Sequence, residues 1–120
     1  MDTSKLMRRN LLLYNGDVVS VLTVAKSSLR VYNITKDEFI SEWIDSDKFK
    51  PLPLNLELVK ELGFFIDRGS ELIYKAETVR LYIEETQLGW ELTIRTGSGT
   101  YFVLTIVKYY HELSNLLRAI

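Results

Sequence analysis

The stretch LLLYNGDVVSVLTVA, residues 11–25, contains the clearest local signal in the chain, because it places two apolar segments around a tight turn. Asn15-Gly16 tolerates the positive φ angles that a two-residue hairpin loop needs. The flanking segments, 11–14 and 18–25, are therefore predicted to be antiparallel strands. A second turn at residues 26–28 allows a further strand, at residues 29–32, to continue the meander.

Four more strands are predicted in the second half of the chain, at residues 72–76, 79–85, 90–96 and 100–107. In the middle two, apolar and polar residues alternate, so each has one buried face. For these faces to coincide across the loop at 86–89, odd positions of the first strand must pair with even positions of the second. Gly97-Ser98-Gly99 is predicted to make the next turn.

Two helices complete the prediction. The first runs over residues 56–62, with Asn55 as its N-cap and Gly63 as the left-handed residue after its end. The second runs over residues 108–120, which contain neither Gly nor Pro. On a helical wheel its large apolar residues fill an arc of about 120°, the width expected of a helix that lies on a sheet. The fold class is therefore α+β and mainly antiparallel, with an N-terminal small barrel or curled meander leading into a C-terminal sheet.

Residues 34–47 fit two alternatives. Thr35 and Glu38 have capping-box spacing, and Phe39, Trp43 and their neighbours fall on one helical face. Phe39, Ser41 and Trp43 also alternate as they would in a strand that returns after the strand at 29–32. The acidic residues here are interpreted as a solvated, charged face; they are Asp37, Glu38, Glu42, Asp45 and Asp47.

Length and composition predict one soluble domain. The chain has 120 residues, of which 47% are hydrophobic and 26% charged, and its formal charge is −1. We expect residues 1–9 to form a flexible arm and residues 10–120 a single α+β domain. The small net charge predicts no general attraction to nucleic acid or to anionic lipid. The absence of Cys, of a signal-peptide pattern and of an apolar run long enough to span a membrane predicts a cytoplasmic location.

Three motifs occur in order along the chain: Pro51-x-Pro53-Leu54, the helix end at residues 62–64 (Leu-Gly-Phe), and His111-x-Leu113-x-Asn115-Leu116. Together they resemble a family of small proteins of phages, prophages and mobile elements of Bacteroides-type gut bacteria. The family carries no known activity, so the resemblance implies a setting and not a reaction. It also implies a strand before the Pro-x-Pro-Leu segment, and we therefore prefer the strand at residues 38–44. The chain departs from the family pattern at Asn55, Glu112 and Ser114.

The sequence predicts no catalytic residue, no metal site and no cofactor. His111 is the single His, so a metal site rich in His is excluded, and no motif supplies a Ser nucleophile beside it. His111, Asn115 and Arg118 share one side of the C-terminal helix. Trp43 and Tyr82 are aromatic residues that the apolar pattern does not place in the core, whereas it predicts Phe64, Phe65, Trp90 and Phe102 to be buried. These observations define the candidate binding surface, which consists of His111, Asn115, Arg118, Trp43 and Tyr82.

The predicted function is that of a non-enzymatic accessory protein of a phage or mobile element, which binds another protein. Open sheet edges favour either a heteromeric contact or self-association. The first alternative is a module that binds nucleic acid or a nucleotide ligand through exposed aromatic rings and residues such as Arg30 and Lys50. The second alternative is a small enzyme that uses His111. No membrane partner is expected.

Overall fold

The computed structural model describes residues 1–66, 69, 71–76, 79–95 and 101–120. The chain divides into two compact units. Unit 1 comprises Met1–Pro53 and Tyr109–Ala119, and unit 2 comprises Leu54–Lys108 and Ile120. A chain with two compact units can unfold in one step or in two, so the single domain over residues 10–120 stays a prediction.

Unit 1 contains a six-stranded sheet with antiparallel pairing, and the C-terminal helix. Its elements are β1 (Leu11–Tyr14), β2 (Asp17–Val24), β3 (Ser28–Asn33), β4 (Glu38–Phe39), β5 (Ile44–Asp45), β6 (Phe49–Pro51) and α2 (Tyr110–Arg118). The strands lie in the order β4-β3-β2-β1-β6, and β5 also pairs with β3. In the described residues β4 and β6 do not pair with each other, so of the two predicted forms, a small barrel or a curled meander, the closed barrel is not seen.

The hairpin between β1 and β2 is confirmed. Tyr14 pairs with Asp17, and the two residues between them, Asn15 and Gly16, have φ angles of 51° and 82°. Positive φ at both central positions is what this turn requires. The turn sets a register in which Leu12 and Val19 lie opposite each other, and both are fully buried.

The core of unit 1 lies on one face of this sheet. It is made of buried apolar side chains: Leu6, Leu12, Val19, Val21, Leu29, Val31 and Phe49. Burial of a side chain of this size stabilises a fold by about 1.5–3 kcal/mol. Most members sit at alternate positions of β2 and β3, which is the period that directs side chains to one face of a sheet.

Residues 1–9, which the sequence predicts to be a flexible arm, contain a 3-10 helix over Thr3–Lys5. Leu6 follows it in the core. The Arg9 amide donates to the Val21 carbonyl at 2.7 Å, and the Val21 amide donates to the Asn10 carbonyl at 2.9 Å. This segment is therefore part of unit 1.

Residues 34–47 contain two very short strands and no α-helix. The strand alternative, which the resemblance favoured, therefore agrees with the structure better than the helix does. Phe39 pairs with Tyr32, and Ile44 pairs with Leu29, so both β4 and β5 run antiparallel to β3. A 3-10 helix over Ser46–Lys48 follows. The strand is chosen over the helix because β3 offers backbone partners on this side, which local spacing does not reveal.

Unit 2 contains a five-stranded antiparallel sheet and one short helix. Its elements are α1 (Leu56–Glu61), β7 (Phe65–Ile66), β8 (Leu72–Lys75), β9 (Arg80–Thr86), β10 (Gly89–Arg95) and β11 (Tyr101–Val107). They lie in the order β11-β10-β9-β8-β7. Leu81 pairs with Ile94, and Ile83 pairs with Leu92, so the predicted odd-to-even parity is confirmed. The predicted turn at residues 97–99 lies outside the described residues.

Both predicted ends of α1 are confirmed. The Asn55 side chain accepts a hydrogen bond from the Leu58 amide at 2.9 Å. Gly63 follows the helix with φ 111°. A Cβ at Gly63 would lie 3.0 Å from the Tyr74 ring, so both the backbone angle and the neighbouring ring favour glycine there.

The α+β class with mainly antiparallel strands is thus confirmed. Neither α1 nor α2 is long and apolar enough to cross a membrane, and the same holds for every helical segment of the described residues.

Candidate functional site

Three of the predicted binding residues, His111, Asn115 and Arg118, belong to α2, and two of them contact the N-terminal segment of unit 1. The Asn115 amide nitrogen donates to the Lys5 carbonyl at 2.9 Å. The Arg118 guanidinium donates to the Arg8 carbonyl at 2.6 Å. These side chains therefore bind residues of the same chain, and their role in binding a partner stays a prediction.

Asn115 also contacts a buried amide that sequence reasoning missed. Asn10 is fully buried, and its Nδ2 donates to the Asn115 Oδ1 at 2.8 Å. Its own Oδ1 accepts a hydrogen bond from the Met7 amide at 2.8 Å. Since buried polar groups need partners, this amide pair connects the N-terminal segment to α2. The two residues are 105 positions apart, so no local pattern indicates their contact.

His111 is half-buried on α2. Its ring stacks on Tyr109, with 6.1 Å between centroids and 8° between planes. Within the described residues its Nδ1 is buried without a hydrogen-bond partner. Burial lowers the pKa of His111, and the charge of Lys5 lowers it further, whereas Glu112 acts in the opposite direction. The side chain is therefore held toward its neutral form.

Trp43 lies in the loop between β4 and β5, in unit 1, and 47% of its surface is exposed. The Arg30 guanidinium lies over its ring, 5.6 Å from the centroid. Phe39, which is 56% exposed, pairs with Tyr32 on the same strand that carries Arg30. The acidic residues interpreted as a solvated face surround these rings in sequence and are exposed.

Tyr82 belongs to unit 2, where it lies in an open groove of about 670 Å³ on the sheet. The Arg95 guanidinium stacks on its ring at 4.1 Å from the centroid and donates to its hydroxyl at 3.1 Å. The residues that line the groove include four glutamates: Glu71, Glu84, Glu85 and Glu91. Glu84 and Glu91 are directly opposite each other in the sheet, an arrangement of like charges that disfavours a phosphate ligand.

An exposed apolar edge in unit 2 was also missed. β11 is the last strand of its sheet, and Phe102 and Val103 are 57% and 59% exposed. The predictions that Phe102 and Phe65 are core residues are wrong, whereas Phe64 and Trp90 are buried as predicted. Alternation alone misleads here, because a strand at the edge of a sheet has neighbours on one side and covers less of each side chain.

The described ranges contain no group of three or more His, Asp or Glu side chains close enough to hold a metal ion. Comparisons with family models, with curated proteins and with solved structures gave no match. The resemblance to the phage and mobile-element family therefore stays an expectation that its motifs raise.

Proposed function

We propose that the protein is a non-enzymatic binding protein that recognises an extended segment of another protein by strand addition at β11. The phage or mobile-element setting implied by the sequence motifs is part of the same proposal. The observation that supports it is the uncharged, apolar strand β11 of unit 2, which pairs on one side only in the part of the chain that the structure describes.

The backbone of β11 is suited to strand addition. In the described residues it pairs with β10 and with no other strand, so alternate N–H and C=O groups along its outer side lack a partner strand. A partner segment that adds there gains main-chain hydrogen bonds, and the side chains on both faces supply specificity.

The side chains of β11 agree with this function. Soluble proteins commonly protect a sheet edge with Lys, Pro or a very short strand. β11 is seven residues long and contains no charged residue and no Pro. Four of its apolar side chains are exposed: Phe102, Val103, Leu104 and Ile106. A long, uncharged and apolar edge of this kind is typical of an interaction site.

One protective device is present, and it limits where a partner pairs. The register with β10 shifts between Leu92 and Thr93, so Leu104 is an extra residue in β11. Such a bulge bends the strand and interrupts its pairing. A partner strand is therefore expected to follow either the part before Leu104 or the part after it.

The experiment places a charge on the edge. Val103→Lys should abolish recovery of a partner protein by the tagged chain from its own host, because a desolvated ammonium opposes strand addition. The variant should keep the stability of the parent within about 0.5 kcal/mol, since Val103 is exposed. Leu88→Lys is the matched control, because Leu88 is an apolar residue of unit 2 that is 70% exposed and belongs to the β9–β10 turn and not to β11.

The complex is then examined by amide hydrogen exchange. Strand addition requires slower exchange of the outward-facing β11 amides when the partner is bound. Recovery of the partner by Val103→Lys at the parent level would contradict the proposal, as would recovery of nucleic acid in place of protein. If the parent dimerises and Val103→Lys does not, the added strand belongs to a second copy of the chain.

A further inference from the structure

A second exposed surface lies in unit 1, independent of β11. We name it the acidic aromatic surface and define it by Phe39, Trp43, Glu38, Glu42, Asp45 and Asp47. All six residues are exposed. Large aromatic residues are enriched at sites where proteins bind other proteins.

The two rings of this surface are spaced along β3. Phe39 is opposite Tyr32 in the register, and Trp43 contacts Arg30. Arg30 and Tyr32 are two residues apart, so they lie on the same face of the strand and about 7 Å from each other. Successive side chains on one face of an extended peptide have the same spacing. An extended segment with apolar residues at positions i and i+2 therefore matches both rings.

The charges on this surface determine whether it attracts a basic or an acidic partner. Residues 36–48 contain the carboxylates of Asp37, Glu38, Glu42, Asp45 and Asp47, and the ammonium groups of Lys36 and Lys48. The Lys36 ammonium lies 3.5 Å from the Asp17 carboxylate, outside the acidic aromatic surface, so it is directed away from these acids. The Met1 ammonium lies 3.4 Å from the Asp47 carboxylate, and the Arg30 guanidinium lies over Trp43. The carboxylates of Glu38, Glu42 and Asp45 are therefore the ones expected to attract Lys or Arg and to repel phosphate.

The Trp43 ring already attracts a cation. The Arg30 guanidinium lies 5.6 Å from its centroid, and Trp is the aromatic ring that binds cations best. We propose that the acidic aromatic surface binds an extended basic segment of a partner protein, with two apolar residues at i and i+2 and Arg or Lys on both flanks. This binding goes beyond strand addition at β11 and does not depend on it.

The test uses a fluorescein-labelled peptide in which two Leu, separated by one Thr, are flanked on both sides by Arg. Fluorescence polarisation with the full chain should show saturable binding that weakens as salt is added, because the flanking charges are screened. Trp43→Ala should weaken binding at least tenfold. Glu42→Gln should weaken it less and reduce its dependence on salt.

Two control variants separate this surface from the rest of the molecule. Glu61→Gln removes an exposed carboxylate from α1, in unit 2, and should bind the peptide like the parent. Val103→Lys blocks the proposed edge of β11 and should also bind the peptide like the parent. Because Val103→Lys affects β11 alone, a failure of the proposed strand addition can be told apart from a failure of the acidic aromatic surface to bind the peptide. Thermal melting checks that Trp43→Ala is folded, and Glu42→Gln tests the surface without removing a ring.

Four results would overturn the proposal. The first is unchanged affinity in both Trp43→Ala and Glu42→Gln. The second is equal binding of a peptide in which Glu replaces every Arg. The third is tighter binding of an oligothymidylate than of the basic peptide. Absence of saturable binding below about 1 mM, which is a free energy of about −4 kcal/mol, would overturn it as well.

Discussion

At the residue scale, the most informative contact is the buried amide pair of Asn10 and Asn115. It joins the segment before β1 to α2, two parts of unit 1 that come from opposite ends of the sequence. Asn10 has no exposed surface, and its side chain also accepts from the Met7 amide. Loss of either amide would leave buried polar groups without partners, which costs about 1–3 kcal/mol.

We therefore expect Asn10→Ala and Asn115→Ala to be strongly coupled. Each alone should lower the free energy of unfolding by about 1–3 kcal/mol, because it strands the other amide. The double variant should be less destabilised than the sum, by an interaction energy of about 0.5–3 kcal/mol. Urea unfolding of the four proteins in this cycle measures the difference. Strict additivity would show that the two amides do not stabilise each other.

His111 gives a prediction about pH. Its pKa in the folded protein is lowered from its ordinary value near 6.5, chiefly by burial. The unfolded chain then binds more protons than the folded chain when the pH falls below about 6.5, so stability decreases through that range. Replacement by Gln removes this dependence. The loss of unfolding free energy between about pH 7.5 and pH 5 should therefore be smaller for His111→Gln than for the parent.

The comparison between these two proteins matters, because the carboxylates Asp2 and Asp17 also have lowered pKa values. Their effect is confined to more acidic conditions, where carboxylates of lowered pKa take up protons. Parallel pH profiles of the parent and His111→Gln would contradict the assignment to His111.

The role of some residues can be predicted from the sequence and that of others cannot. The difference depends on how far along the chain each residue lies from its hydrogen-bond partner. The cap at Asn55 is predictable because its partner, Leu58, is three positions away. Asn10 is not predictable, because its partner is on the last helix. The side of α2 that carries Asn115 and Arg118 was recognised as polar and aligned, but the sequence could not show that residues 5–10 of the same chain occupy it.

At the element scale, hairpins and capped helices were predicted well, because short-range chemistry determines them. The turn at Asn15-Gly16, both ends of α1 and the parity of β9 with β10 are all confirmed. The segment at 34–47 was ambiguous because its periodicity fitted both a helix and a strand. Its partner is β3, and only the pairing of Tyr32 with Phe39 and of Leu29 with Ile44 resolves it.

The exposed surfaces are element-scale features that the sequence indicated in part. Trp43 and Tyr82 were singled out because no apolar pattern includes them, and the structure places Trp43 beside Arg30 and Tyr82 beneath Arg95. The edge of β11 was hidden in the sequence, since its apolar residues resemble those of a buried strand. Only the order of strands in the sheet shows that β11 is terminal.

At the scale of the whole molecule, the path of the chain couples the folding of unit 1 to the folding of unit 2. Unit 1 is assembled from residues 1–53 and 109–119, and unit 2 contains the residues between them. Within unit 2 the Leu54 amide donates to the Lys108 carbonyl at 3.0 Å, so this unit brings the two ends of its own segment together. Closing a disordered loop of this length costs about 3.5 kcal/mol from its length-dependent entropy. Unit 2, once folded, removes that cost from the assembly of unit 1.

This coupling predicts that the chain unfolds in one transition, as the single domain over residues 10–120 requires. Each unit holds one Trp: Trp43 in unit 1, and Trp90, which is buried, in unit 2. Trp43→Phe and Trp90→Phe therefore yield two proteins whose fluorescence reports one unit each.

Leu113→Ala, added to both, removes a fully buried side chain of α2 and should cost about 2–5 kcal/mol. A loss of that size lowers the melting temperature of a domain of this length by about 3–5 °C per kcal/mol. The melting temperature should shift equally in the two proteins. When unit 1 unfolds, it no longer holds the two ends of the unit 2 segment together, so folding of unit 2 then includes the full entropy cost of closing that loop. A shift confined to the Trp43 signal would show that the units unfold independently. Ile120→Ala, a truncation of an exposed residue, is the control and should shift neither signal.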